Sequence, residues 1–220
     1  MNPNIQRFDR EAAVWDANPQ RAALAQAIVR CVEAQLDEDA SPRMLDYGCG
    51  TGLCSLPLAA RCQSVLGVDV APGMLAKLEE KAAALGLTNL RTLQHNLAEC
   101  PLEGRVFDLI VCAMALHHVR DVALVLQRFR PLLAEGGVLT LADLDAEDGS
   151  FHADLTGVEH HGFPRNQILN SLWEAGFRQV DIATAHTIEK PSLCGEPRRY
   201  PVFFMAARVR PRGAVHRAKE

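Results

Sequence analysis

The stretch Leu45-Asp46-Tyr47-Gly48-Cys49-Gly50-Thr51-Gly52 decides the fold. An apolar run, Arg43–Tyr47, enters a turn with a glycine at every second position, and a helical pattern follows over Cys54–Ala60. Glycines in such a turn let the backbone bend sharply and let a ligand approach without a Cβ in the way. The helix start beyond the turn offers unpaired N–H groups to an anionic group. A phosphate-binding P-loop requires Gly-Lys-Ser/Thr, which is absent. A dinucleotide fingerprint requires its third glycine three residues after the second, where Leu53 stands.

Outward from this turn the chain alternates short apolar runs with helical patterns. Strands are predicted at Arg43–Tyr47, Ser64–Val70, Leu90–Asn96, Phe107–Ala115 and Val138–Asp143, and helices at Cys54–Ala60, Pro72–Leu85 and Asp121–Leu133. That rhythm predicts an α/β fold, a parallel sheet with helices on both faces. Pro72 suits a first helical turn, Gly86 a helix stop, and Pro131 disturbs the end of its helix before the Gly136-Gly137 turn. Upstream, apolar residues at helical spacing predict a short first helix, a break at Asn18-Pro19 and a longer helix from about Gln20 to Leu36. Downstream, Ala146 to Pro164 has no clear period. A helix near Arg165–Ala175, closed by Gly176, then precedes two runs, Gln179–Glu189 and Pro201–Val209, that read as an edge hairpin.

The Asp46-x-Gly48-x-Gly50-x-Gly52 turn resembles the first motif of the class I S-adenosylmethionine (SAM)-dependent methyltransferases. Further segments resemble the same family: Gly67-Val68-Asp69 at the end of the second run, Asn96 after the third, Phe107-Asp108-Leu109-Ile110-Val111 in the fourth, and Leu132-Leu133-Ala134-Glu135-Gly136-Gly137 before the fifth. The resemblance covers about residues 43–145 and, more loosely, the final hairpin. It implies a Rossmann-like seven-stranded sheet with an antiparallel last strand, and a binding crevice at the carboxyl ends of the parallel strands. It also implies SAM as cofactor and S-adenosylhomocysteine (SAH) as product. Gly48, Cys49 and Gly50 would then pack against the methionine part, with Asp46 also in the cofactor site, Asp69 would hold the ribose, and Val70 and Met74 would flank the adenine. Asn96 with Leu97 would read its edge, and Ala113 would border the sulfonium. In similar enzymes an N-terminal helix closes over the site, which puts Trp15, with Phe8, near the sulfonium.

A methyl transfer needs alignment above all, and a general base where the acceptor starts protonated. Two histidine pairs are candidates. His117-His118 follows strand four in a stretch similar to that of small-molecule methyltransferases, the quinone-biosynthesis enzymes among them. Adjacent residues diverge on a strand or helix, so one of the two at most is expected to face the acceptor. His160-His161 lies in the aperiodic Ala146–Pro164 segment, expected to wall the acceptor side, and one of this second pair is expected to point into the pocket as the base. No metal-ligand spacing is recognisable.

Composition narrows the partners. The chain has 220 residues, 48% of them hydrophobic and 23% charged, enough for a buried core. One domain is expected over 1–207, with a helical cap at 1–40, an acceptor-side insertion at 146–164 and a flexible basic tail at 208–220. A net charge of −4 gives little drive for nucleic-acid binding. Seven cysteines, an odd number without a Cys-x-x-Cys pair, read as free thiols in a reducing compartment. Neither an apolar leader nor a membrane-length apolar run is present in the sequence. The expectation is a cytoplasmic enzyme that methylates an O, N or S nucleophile of a small molecule, without nucleic-acid or membrane partners. Two rivals are a macromolecular methyltransferase, against which the Cys112-Ala113-Met114-Ala115 end of strand four counts, and a non-catalytic SAM-binding protein.

Overall fold

The computed structural model describes residues 3–191 and 197–209. The expected basic tail lies, from residue 210 on, outside the described residues. Helix α1 (Pro3–Glu11) starts earlier than the apolar periodicity indicated, because its residues are mostly polar, and it continues into a 3₁₀ turn, Ala12–Ala17. Helix α2 (Pro19–Glu33) starts where the break was read. Asn18 caps it, its Oδ1 accepting from the Gln20 N–H at 2.9 Å, with Pro19 preset at the first position.

Then follow β1 (Arg43–Tyr47), α3 (Ser55–Ala59), β2 (Ser64–Asp69), α4 (Pro72–Ala84), β3 (Leu90–Gln94) and β4 (Phe107–Ala113). A 3₁₀ turn, Leu116–His118, leads to α5 (Val122–Leu132), β5 (Leu133–Leu144), α6 (Arg165–Glu174), β6 (Gln179–Pro191) and β7 (Pro197–Arg208). Strand β5 begins five residues earlier than read from the sequence. Its register against β4 shifts between Phe107 and Leu109, so Gly136-Gly137 sits in a bulge inside the strand rather than in a turn before it.

The sheet order is β3-β2-β1-β4-β5-β7-β6. Strands β1 to β5 pair in parallel, and β7 is antiparallel to both β5 and β6. The antiparallel last strand therefore lies inside the sheet, and β6 forms the edge. Both faces are covered, and alternate residues serve different layers. Met44, Leu109 and Val111 pack with Leu24, Ile28 and Val32 of α2 and Leu78 of α4. Leu45, Ile110 and Cys112 pack with Val125, Leu126 and Phe129 of α5 and Leu172 of α6. No helix among the described residues is long and apolar enough to cross a membrane.

The strand order reverses between β1 and β4, and at such a switch point the loops leaving the two strands part to form a crevice. Here they also touch. A Cβ on Gly48, which has φ +71°, would lie 2.5 Å from the Cβ of Ala115, so only glycine fits where β1 hands over to the turn.

Candidate functional site

A cavity of about 1230 Å³ opens at this crevice. One half is bordered by the glycine turn and the ends of β1, β2 and β4 (Asp46, Gly48, Cys49, Gly50, Asp69, Val70 and Ala113), with Met74 of α4 and Asn96 after β3. The other half is bordered by α1 and the 3₁₀ turn after it, by His117 and His118, by part of the 146–164 segment and by β6.

Asp69 ends β2 and ties the glycine turn to α4. Its two oxygens accept the Gly50 and Ala71 amides at 2.9 Å each, and each oxygen keeps lone-pair capacity for a ligand hydroxyl. Burial raises its pKa above the usual carboxylate value. Asp46 is deeper, 1% exposed, and accepts from the Ser55 hydroxyl. Burial pushes its carboxyl up to about 7. The Cys49 thiol is likewise pushed well above its ordinary value by burial, which leaves it inert as a nucleophile. Asn96 turns its side chain onto its own loop, accepting the Ala98 amide and donating to Glu99. Leu97 departs from its expected place: its side chain is 2% exposed within the apolar layer under α5 and is absent from the cavity wall. The aperiodic turn after β3 drives this apolar residue inward.

Met114, directly after β4, is the sole non-glycine with positive φ among the described residues, at +54°. The strain is held by its amide bonding to the Ala142 carbonyl at 2.7 Å, and it sits on the cavity wall.

The histidines arrange themselves otherwise than expected. His117 and His118 both border the cavity, because they occupy a 3₁₀ turn instead of a strand; their ring centroids lie 4.1 Å apart. His117 Nδ1 meets Asp143 Oδ1 at 2.7 Å, and both side chains are withdrawn from solvent. Asp143 also accepts the amides of His117 and Leu144. Burial alone would raise its carboxyl, but the His117 imidazole and these hydrogen bonds hold it below the ordinary carboxylate value. A carboxylate at Nδ1 fixes the ring tautomer, with Nε2 left as the lone-pair nitrogen.

His118 Nδ1 donates to the Gly157 carbonyl at 2.7 Å. Burial, with His117 alongside, depresses its pKa to about 4. A third imidazole, His152, stands 5.0 Å from His117 between centroids, with its Nε2 buried and unpartnered. Burial, then the two neighbouring histidines, bring it down to about 3. His118 and His152 are therefore neutral near pH 7.

His160 and His161 are turned away from the cavity, which corrects the expectation that one of them points into it. The His160 ring donates from Nε2 to the Val119 carbonyl at 2.9 Å. Its amide and that of Glu159 bond to the His117 carbonyl, so this part of the segment straps down the 3₁₀ turn. His161 Nδ1 lies 3.6 Å from Glu147 with its side chain half in solvent. What the segment gives to the wall is Phe151, His152, Ala153, Asp154 and Glu159.

The N-terminal elements close the top. Asp9 Oδ1 accepts the Gly73 amide at 2.7 Å, and Asp16 pairs with Lys81 and with the Thr51 hydroxyl. On the other side Asn4 reaches the Gly157 carbonyl, and Arg7 those of Asp154 and Thr156. Phe8 lies edge-on to both Trp15 and His118, and Trp15 borders the cavity.

Sequence reasoning missed Asp143, His152, Met114, Arg7 and Lys190 as wall or supporting residues. One signal was present: Asp143 closes the run Val138–Ala142, apolar but for Thr140, where a carboxylate needs a buried partner. Among the described residues no group of three or more His, Cys, Asp or Glu is arranged to hold a metal ion.

Comparison with known proteins adds a family context. A family model described as "Methyltransferase domain" matches residues 44–137. An uncharacterized methyltransferase of Schizosaccharomyces pombe is 33% identical over 154 residues, covering 63% of this chain. The chain spans 54%, about half, of that relative's length. A ubiquinone biosynthesis O-methyltransferase of Cereibacter sphaeroides is 30% identical over 175 residues, which cover 70% of this chain and 68% of that protein. Among solved structures, a complex of DhpI with SAH superposes with a TM-score of 0.72 at 20% identity, over 94% of this chain and 96% of the other.

Proposed function

The chain belongs to the class I SAM-dependent methyltransferases, and we propose that it transfers the SAM methyl group to a hydroxyl oxygen of a small aromatic molecule, with His117 as general base.

The residues present fit the cofactor. The glycine turn leaves open space at Gly50, where an added Cβ meets nothing within 4 Å. Asp69 on the wall keeps acceptor capacity for ribose hydroxyls, and Val70, Met74 and Asn96 border the same half of the cavity. When bound there, SAM supplies a methyl group on a positively charged sulfur that leaves as a neutral thioether.

The observation that carries the reading is the buried His117–Asp143 contact at 2.7 Å. With Nδ1 held by the carboxylate, the lone pair would sit on Nε2 of a ring that borders the cavity, and an imidazolium formed on proton uptake would have a carboxylate neighbour. His117 Nε2 would take the proton of the acceptor hydroxyl, whose oxygen would receive the methyl group while the S–CH₃ electron pair stays on sulfur, and Asp143 would stabilise the proton left on His117. An amine that is already deprotonated gains little from such a pair, which favours a hydroxyl. Phe8, Trp15 and Phe151 on the wall suit an aromatic acceptor. The similarity to a ubiquinone biosynthesis O-methyltransferase supports the same acceptor atom. The net charge of −4 favours a small molecule over nucleic acid.

The test is incubation with SAM and a panel of catechols, hydroxybenzoates, amines and thiols, with SAH and methylated product read by mass spectrometry. Turnover confined to phenols is expected. Turnover of amines or thiols alone would overturn the oxygen assignment.

A further inference from the structure

Four cations border the cavity: Arg7, Arg21, Arg120 and Lys190. Three are committed to the fold. Arg7 pairs with Glu11 and with two carbonyls of the 146–164 segment. Arg21 lies against Glu11 and over the Trp15 ring, and Arg120 lies beside Glu159. Lys190 differs. It projects from β6 with no ion pair to a carboxylate among the described residues, and its Nζ stands 3.7 Å from the centroid of the Phe151 ring and 5.3 Å from that of Tyr200.

We infer that Lys190 is the recognition point for a carboxylate on the acceptor, so that the preferred substrate is a small aromatic acid whose hydroxyl faces His117 while its acid group faces Lys190. This rests on the proposed methyl transfer to a phenolic oxygen and narrows its substrate class.

The wall between these two groups is continuous. His117 lies 5.0 Å from His152, His152 stands 4.8 Å edge-on from Phe151, and Phe151 carries the Lys190 ammonium over its face. Neutral rings line the path, so an aromatic acid meets a base at one end, flat apolar surfaces in between and a cation at the other. His152, whose Nε2 is buried without a partner, adds one polar atom midway. A half-buried ammonium held over a ring retains unsatisfied N–H donors, and a carboxylate is their natural complement. Glu147 is the acid that lies nearest in effect: its charge raises the Lys190 pKa, though burial, the larger influence, lowers it. Its Oε2 accepts the Phe151 amide, and its buried Oε1, without a hydrogen-bond partner, lies 3.6 Å from His161 Nδ1.

The decisive experiment reads binding without turnover. Benzoate and its neutral isostere benzamide are titrated calorimetrically into the full-length protein, with and without SAH, for wild type, Lys190→Gln and Lys190→Arg. Wild type is expected to bind benzoate about tenfold more tightly than benzamide, the lower end for a charge-assisted contact that is not fully buried. Lys190→Gln should erase that preference while leaving benzamide affinity unchanged, and Lys190→Arg should retain it. Equal affinities in wild type, or a preference that survives Lys190→Gln, would overturn the inference. A benzoate preference lost in Lys190→Gln, together with no methylation of any catechol or hydroxybenzoate, would uphold the carboxylate site and sink the phenolic-oxygen reading instead.

Discussion

His117 and Asp143 face each other across the gap between the turn after β4 and the end of β5, 2.7 Å apart and shut away from water. The pair joins the two strand ends through a side-chain contact and through the His117 amide, which donates to the same carboxylate. Ring position, tautomer and local backbone are therefore set by one acid.

His117→Gln should lower kcat about a hundredfold or more, with SAH affinity unchanged by calorimetry. Asp143→Asn should lower kcat less, because the imidazole remains but loses its fixed tautomer. It should also destabilise the fold by about 1–3 kcal/mol, since an amide cannot serve all three donors that the carboxylate now accepts. Wild-type kcat in His117→Gln would remove the histidine from the reaction.

His160 and His161 provide the contrasting pair. His161→Ala should keep kcat within about twofold, as expected for a half-exposed side chain away from the cavity. His160→Ala should cost about 1 kcal/mol of stability through its lost bond to Val119, measured by urea unfolding, while leaving kcat nearly intact. A hundredfold loss of kcat in stably folded His161→Ala would restore the base to that segment.

Two glycines of one turn should fail differently. Gly50 has φ +52° and open space where a Cβ would go, so Gly50→Val should fold with a backbone penalty of about 1–2 kcal/mol and lose SAH binding. A Cβ on Gly52 would lie 2.2 Å from Leu78 Cδ1, so Gly52→Ala should lower Tm more, with its lost binding traceable to the fold. Thermal melts with and without SAH separate the two outcomes.

Asp46 gives a stability signature with a definite sign. Its carboxyl, ordinarily near 3.8, is raised to about 7 by burial. The folded chain thus holds a proton that the unfolded chain has released, so this contribution is fully present below about pH 4 and is lost as pH rises to about 7. Asp46→Asn should gain on wild type across that window by at most about 1.4 kcal/mol per pH unit. Urea midpoints at pH 4.5, 6 and 7.5 check it, and a constant difference between the two proteins would show that Asp46 titrates normally.

The frame was legible because its signals are local. Arg43–Tyr47 has the same bounds in sequence and structure, and Asn18-Pro19 and Asp121 start their helices through their own side chains. The grouping of the glycine turn and Asp69 on one cavity wall was legible because they lie within 24 residues of each other (46 to 69). The acceptor half was not legible, because its contacts are remote in sequence. Nothing near His117 points to Asp143, and the direction in which His152 or His160 faces depends on a strap that is pinned by backbone amides. Leu97 was misplaced for a related reason: motif position says where a residue stands along the chain, and packing decides which way it faces.

The division of the cavity also bears on how such a protein diversifies. Its cofactor half is made by strand ends and a glycine turn on which the whole sheet depends. Its other half is made by α1 and the 146–164 segment, joined by contacts such as Asn4 to the Gly157 carbonyl and Arg7 to that of Asp154. Substitutions in α1 and that segment leave the sheet untouched, so lineages descending from this scaffold are free to reshape that part of the acceptor wall while the glycine turn and strand ends stay as they are.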